Sequence, residues 1–447
     1  MEKPDLERFP LITPAGWANY RRIREHPHAP AWNHTCGNRL TAAGLQSVRA
    51  FAGLLQAEPP AWQPGRPPDW LGPFVRHCFE QVPLYRAYGS PPADFRAIPT
   101  SSRADLARAA NLFIPDDQPV DEMVAYATSG TSGHPINVYW HPASSAMYVP
   151  LLQAALALHG AAFQPGPEGL GCVVVCFQKS TYTLVSVAPY LDHSGFAKIN
   201  LNPAGWADPD DRVRFLDDLR PQVFNGDPLS FAELARLPLR ARPSALISTA
   251  MHLSEGLRAD LSERFACPVI DLYAMNEAGP LAARLPGQDV YELLQPRLYL
   301  EILDPQDQPC PPGARGEVAL SGGFNPYIPL LRYRTGDYAA LEFRAGRPVL
   351  VGLEGRPPVA FRGVGGGFVN NIDVTLALRP FPLEQFQLHQ FAGGRLRLSY
   401  RGRSARPEDL RAALLALFGP AQVLELVPDL APIPPSAKVV QYTSDLG

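Results

Sequence analysis

The sequence predicts an α/β fold: a large N-terminal region of several subdomains, with helix-covered sheets and a β-rich portion, followed by a small α+β C-terminal domain. Three observations predict it. From residue 121 to 272, short apolar runs of strand length alternate with segments of helical period. Residues 297–303 and 316–320 alternate with period two, as half-buried strands do. Near residue 355 the texture breaks at Gly355-Arg356-Pro357-Pro358, which divides the chain into domains of residues 1–355 and 356–447.

The elements follow in order. Leu45, Val48, Phe51 and Leu55 share one face of an amphipathic helix over 40–55, with which the fold is expected to begin. A proline-rich stretch, 58–68, separates it from a second helix over 74–82. Residues 172–176 and 246–248 read as strands, and 212–219 and 254–265 as helices. In the last of these Ser254 can serve as N-cap, with Leu257, Leu261 and Phe265 on one face. A strand over 269–272 is expected to end at Tyr273. In the C-terminal domain Leu396, Leu398 and Tyr400 alternate, a helix starts at Pro407 with Glu408 and Asp409 in its first turn, and 423–427 is a strand. A proline-rich tail carrying Lys438 follows.

Composition excludes several classes. A net charge of -3 and a pI near 6.4 do not suit binding to nucleic acid or to an anionic membrane. No apolar run approaches the roughly 18 residues of a membrane span, and 171–177 reads as a buried strand instead. The first residues are too charged for a secretory signal, so cytoplasm is the expectation. Six cysteines without a CxxC pair read as reduced, buried thiols. Of the 40 basic residues only Lys3, Lys179, Lys198 and Lys438 are lysine, so a lysine in a functional context is an uncommon event.

The chemistry is concentrated in four segments. Residues 126–135 read Tyr-Ala-Thr-Ser-Gly-Thr-Ser-Gly-His-Pro. Thr128, Ser129, Gly130, Thr131, Ser132 and Gly133 combine flexible backbone N–H groups with four hydroxyls, a composition that can wrap a polyphosphate. The run has no lysine and so is not a P-loop; by itself it reads equally as a solvated surface turn. Downstream, in order, come Asp-Leu-Tyr-Ala-Met-Asn-Glu over 271–277, Arg-Tyr-Arg-Thr-Gly-Asp over 332–337, and Gly355-Arg356. Each is weak alone: Glu277 reads as a loop carboxylate and 334–337 as a tight turn. No His/Asp/Glu cluster has the spacing of a metal hydrolase.

In their order and spacing these segments resemble the adenylate-forming superfamily, which includes acyl-CoA synthetases, adenylation domains and luciferases. The chain looks most like the phenylacetate-CoA ligase branch. The resemblance runs from about residue 70 to the C-terminus. Residues 82–86 and 98–106 match that branch's lead-in, and 329–337 is the most specific match. Ile136 stands where many superfamily members have lysine, which the branch also tends to lack.

The resemblance implies an adenylate-forming enzyme fold and roles for individual residues. Thr128 to Gly133 would hold the β- and γ-phosphates of ATP. Glu277 would act in catalysis by ligating Mg²⁺, a hard cation that takes oxygen ligands. Asp337, an ionised double acceptor, would bind both ribose hydroxyls. Asp271 would meet the adenine amino group and Tyr273 would stack on the base. Asn276 would sit at the α-phosphate, where a hydroxyl residue is usual, and Arg356 at the ribose or phosphate. Lys438, in Pro-Pro-Ser-Ala-Lys where the family has glycine before the lysine, would be the catalytic cation bridging acid and α-phosphate. The acyl pocket would be walled by Phe177, Tyr182 and Met275, with Lys179 between the first two. Ala274 replaces the usual glycine of its floor and Met251 a glutamate common in the branch.

Two departures bear on the second half-reaction. Pro357-Pro358 replaces the flexible acidic hinge, and proline fixes φ, restraining a swing of the C-terminal lid. Gly365, Gly366 and Gly367 replace bulkier residues in the loop facing the thiol. Adenylation is therefore better supported than CoA transfer.

The expected function is ATP-dependent activation of a small aromatic or hydrophobic carboxylic acid as an acyl-adenylate, then transfer to CoA or phosphopantetheine, in biosynthesis of a specialised metabolite. The rivals are an amide- or ester-forming ligase using the same adenylate, and a nucleotide-binding scaffold without turnover. The expected partners are the acid, a carrier protein and a second copy of the chain, with neither nucleic acid nor membrane.

Overall fold

The computed structural model describes residues 3–127, 137–177, 181–354, 360–370, 374, 377–378, 380–383, 385–402, 406–428, 430 and 442–446. Its centre is one sheet of 13 strands with two differently built halves. In the first half Ser194–Asn200, Leu170–Cys176, Val223–Gly226, Ala245–Ser248 and Val269–Met275 lie side by side in parallel. Val173, Val175, Phe224, Leu246, Ile247 and Ile270 are buried, because helices cover both faces. Pro14–Arg24, Asp211–Leu219, Pro228–Arg236 and Glu255–Phe265 contribute to the core on one face; Ala42–Ala57 and Tyr148–Ala157 contribute to the other. Leu184–Ala188 closes this side antiparallel, and Cys36 and Asn38 hydrogen-bond its outer carbonyls, which blunts an otherwise open edge.

The second half is antiparallel. From Val269–Met275 it continues through Gly279–Arg284, Val290–Leu293, Arg347–Glu354, Leu330–Arg344, Arg315–Gly322 and Leu298–Leu303. A two-residue strand, Ser101–Ser102, adds parallel to Leu330–Arg344. The chain reverses between Val269–Met275 and Gly279–Arg284 in three residues. Gly279 sits at φ +72, and a Cβ there would lie 2.7 Å from the Phe324 ring, so the turn requires glycine on both counts.

Residues after 360 build a second sheet, ordered Leu424–Val427, Leu396–Arg401, Gln385–Gln390, Tyr442–Ser444. Leu410, Leu414 and Phe418 of the helix Pro407–Phe418 close its core. This unit touches the large sheet's helices at Glu255–Phe265. The Ser254 hydroxyl donates to the Leu383 carbonyl at 3.3 Å, and Gly256 lies so close to Pro382 that a Cβ would be 2.6 Å from its Cα.

The elements expected at 40–55, 74–82, 212–219, 254–265 and 407 onward are present as helices, and Ser254 caps its helix by accepting from Leu257 N–H. Three expectations need correction. The fold does not begin at 40–55: Lys3–Arg8 and Pro14–Arg24 precede it, because Phe9, Tyr20 and Ile23 bury completely or nearly so against the parallel half. The strand expected to end at Tyr273 continues to Met275, since Gly279–Arg284 pairs with it that far. The cysteines are all unpaired, but Cys36 and Cys310 are only half-buried. Among the described residues no helix is long and apolar enough to cross a membrane.

Candidate active site

Val269–Met275 carries the site out of the sheet. Its parallel neighbour Ala245–Ser248 pairs only as far as Asp271, so Tyr273 to Met275 project past the carboxyl end of the parallel half. In open α/β sheets that edge is where ligands bind. Alternation puts Asp271, Tyr273 and Met275 on one face of the strand.

Tyr273 reaches Leu330–Arg344. Its hydroxyl donates to Asp337 Oδ2 at 2.7 Å, joining residues that lie 64 apart in sequence. Burial, and then the Asp337 charge, holds the Tyr273 phenol well above its ordinary range, so it stays a donor. Asp337 is itself set by a turn: its N–H donates to Thr335 Oγ1 at 3.1 Å, Thr335 donates to Val318 O, and Gly336 adopts φ +78.

Glu277 lies just beyond the strand and is 1% exposed. Its Oε1 accepts from the Tyr333 hydroxyl at 2.8 Å and from Arg103 Nη1 at 3.0 Å; the same Nη1 is 3.4 Å from Oε2. Burial, and then the Glu277 charge, raises the Tyr333 phenol well above its usual range. Tyr273 feels the charges of both Asp337 and Glu277, so the two carboxylates flank one buried phenol.

The hairpin Val124–Ala127 / Asn137–Trp140 flanks the hydroxyl-rich run, and Ala127 and Asn137 are its last pair. Trp140 Nε1 donates to the Asn276 carbonyl at 3.1 Å, and Asn325 Nδ2 donates to the Tyr139 carbonyl at 2.7 Å. The Trp140 ring also lies 5.5 Å from Tyr148 and 5.4 Å from Phe324. The hairpin is thus stitched to the turn that carries Glu277. Thr128, Ser129, Gly130, Thr131, Ser132 and Gly133 themselves lie outside the described residues, as do Lys179, Arg356 and Lys438.

The remaining candidates divide. Asn276 is exposed beside Glu277. Ala274 is half-buried with Phe324 against the core under Tyr148–Ala157, and Met275 packs on the neighbouring core, its sulfur 3.9 Å from the Tyr273 hydroxyl. Met251 is half-buried just past Ala245–Ser248, after Ala250 at φ +70. Phe177 is half-buried and donates its N–H to Ser230 Oγ. Tyr182 is 63% exposed, its ring 5.2 Å from His34. Asp271 Oδ2 accepts from the Tyr291 hydroxyl at 2.9 Å and faces Arg258 Nη2 at 3.4 Å.

Sequence reasoning assigned no role to Arg103, Tyr333 or Trp140. Arg103 stands in the 98–106 lead-in and Tyr333 inside the 329–337 match, so the segments were visible and the contacts were not.

Glu277 suits Mg²⁺ as a lone protein ligand. Among the described residues no group of three His, Cys, Asp or Glu side chains converges on a metal position. Mg²⁺ is typically held by one or two carboxylates together with substrate phosphates, and Glu277 supplies one such carboxylate.

No family model matches the chain. Among curated proteins it is 25% identical over 295 residues to the phenylacetate-coenzyme A ligase of Aromatoleum evansii, covering 60% of this chain and 64% of that protein. It is 24% identical over 349 residues to the phenylacetate-coenzyme A ligase of Pseudomonas putida, covering 72% and 77%. The chain thus matches just under two-thirds of the first relative's length. In fold it is similar to a 2-hydroxyisobutyryl-CoA ligase solved in the postadenylation state, with TM-score 0.63, 19% identity and 90% of each chain covered. Motifs, relatives and fold agree: the chain is similar in sequence to phenylacetate-coenzyme A ligases and shares the fold of an adenylate-forming CoA ligase.

Proposed function

We propose that the protein activates a small aromatic or hydrophobic carboxylic acid with ATP, forming an acyl-adenylate, and passes the acyl group to a thiol of CoA or of a carrier protein's phosphopantetheine. The observation that carries this reading is that Tyr273 bonds Asp337 and lies within reach of the Glu277 charge, beside the hairpin that bears the hydroxyl-rich run.

The residues divide the work by charge. Asp337 accepts from the ribose hydroxyls while Tyr273 fixes its orientation and offers a ring face to the base. Thr128 to Gly133 supply N–H and hydroxyl donors to the departing phosphates. Glu277 would hold Mg²⁺, which when bound offsets phosphate charge so that two anions can meet. Arg356 meets the ribose or phosphate, and Asn276 offers an amide N–H to the α-phosphate. Lys438 is carried by the C-terminal unit, residues 356–447, acting as a lid; its ammonium stabilises charge that develops between carboxylate and phosphorus. Phe177, Met251, Ala274 and Met275 bound the acyl pocket, which the methyl of Ala274 shortens. The unpaired cysteines fit a reducing compartment, and we place the enzyme in the cytoplasm.

The test is acid-dependent exchange of labelled pyrophosphate into ATP. Exchange with a subset of aromatic or aliphatic acids is expected. Silence across a broad acid panel with Mg²⁺ present sinks the reading. Mass analysis of the product with CoA or carrier protein supplied identifies the acceptor.

A further inference from the structure

Glu277 is neutralised before any nucleotide arrives. A buried carboxylate without a positive partner is strongly unfavourable. Here the partner is Arg103, whose side chain is 30% exposed against 1% for Glu277. The other donor, Tyr333, is completely buried. The carboxylate therefore has a neutral donor on its buried side and a charged one on its solvent side.

The backbone delivers Arg103 to that place. Ser101 and Ser102 pair in parallel with Tyr333 and Arg334, so the residue after Ser102 starts its helix beside Glu277's other partner. Asp105 fixes this start by accepting from the Ser102 N–H at 2.9 Å and hydroxyl at 2.7 Å.

We infer that Arg103 is the resident counter-ion of Glu277, and that it yields this carboxylate to the divalent cation of a metal–nucleotide, so that guanidinium and metal compete for one ligand. The inference rests on the function proposed above, because it takes Glu277 as the metal ligand. Mg²⁺ sits about 2.0–2.1 Å from a carboxylate oxygen. A guanidinium nitrogen 3.0 Å from Oε1 and 3.4 Å from Oε2 then stands against a divalent charge at short range. Of the two donors Arg103 is the one that leaves, being charged, long and on the solvent side. Tyr333 is neutral and locked in the core, and keeps the carboxylate aimed. Arg103 is thus a positioning residue that sets how much metal the site needs.

The experiment is calorimetric titration of ATP binding against Mg²⁺, without any acid, in the full chain and in Arg103→Met and Arg103→Lys. Removing the competitor in Arg103→Met is expected to lower the half-saturating Mg²⁺ at least fivefold, and added guanidinium ion is expected to raise it again. Arg103→Lys, with a shorter ammonium, is expected to fall between the two. A folded Arg103→Met with an unchanged or higher Mg²⁺ requirement overturns the inference. If that variant does not fold, identity of Arg103→Lys with the parent overturns it. A parent chain that binds no nucleotide at any Mg²⁺ concentration instead sinks the proposed function, so the two failures are told apart.

Discussion

Asp337→Asn probes how the site holds a nucleotide, and its consequence can be worked from one contact. Tyr273 is buried and its hydroxyl donates to Asp337 Oδ2 at 2.7 Å. A buried hydroxyl needs an acceptor, so in the variant the amide carbonyl turns toward Tyr273 and the NH₂ turns toward the ribose. The nucleotide then meets a donor where its two hydroxyls need acceptors. Hydrogen bonds to a charged group are worth about 1.5–3 kcal/mol each. Allowing for partial rescue by water, a loss of about 2–3 kcal/mol is expected, which is roughly a 30- to 150-fold rise in the KM for ATP. The assay is acid-dependent pyrophosphate exchange over a range of ATP, with kcat followed separately. The double variant Tyr273→Phe/Asp337→Asn supplies the decisive comparison. With the tyrosine hydroxyl gone the amide is free to present its carbonyl to the ribose, so the double variant should recover about threefold or more over the single. An ATP KM within threefold of the parent in Asp337→Asn, or a double variant worse than the single, refutes the reasoning.

Three other outcomes are expected. Lys438→Ala should depress adenylate formation by about 10²–10³-fold, as loss of a preorganised charge does, with ATP still bound; single-turnover formation of labelled adenylate measures it. Gly279→Val should lower stability by about 1–3 kcal/mol, because it combines φ +72 with a Cβ 2.7 Å from Phe324, and a melting point equal to the parent's would contradict the packing described. Tyr273, Tyr291 and Tyr333 are each held well above the ordinary phenol range, first by burial and then by the charge of Asp337, Asp271 and Glu277 respectively. The unfolded chain releases these protons near pH 10 while the folded chain keeps them, so their contribution is full below about pH 10 and declines as pH rises further. Tyrosinate absorbance should show these three ionising only on alkaline unfolding.

The clearest lesson lies in what local pattern can and cannot carry. The period of 257–261–265 and the cap at Ser254 depend on residues within one helix, and both appear as read. The helix Pro14–Arg24 has legible ends, Thr13 before Pro14 and a basic last turn, yet its buried face of Gly16, Asn19, Tyr20 and Ile23 includes a glycine and an amide and carries a weak apolar signal. Asp337 is legible as a double acceptor, and Tyr273 as a base-stacking ring only through the family resemblance. That Tyr273 donates to Asp337, and that Asp271 is committed to Tyr291 and Arg258, depends on how three strands lie across one another.

Local pattern carries the inventory: most of the strands and helices, and the order of the four polar segments along the chain. The contacts between those segments come from the packing of distant strands. Arg103 meets Glu277 across 174 residues because Ser101 pairs with Tyr333, and a strand register is chosen by long-range burial that no local window contains.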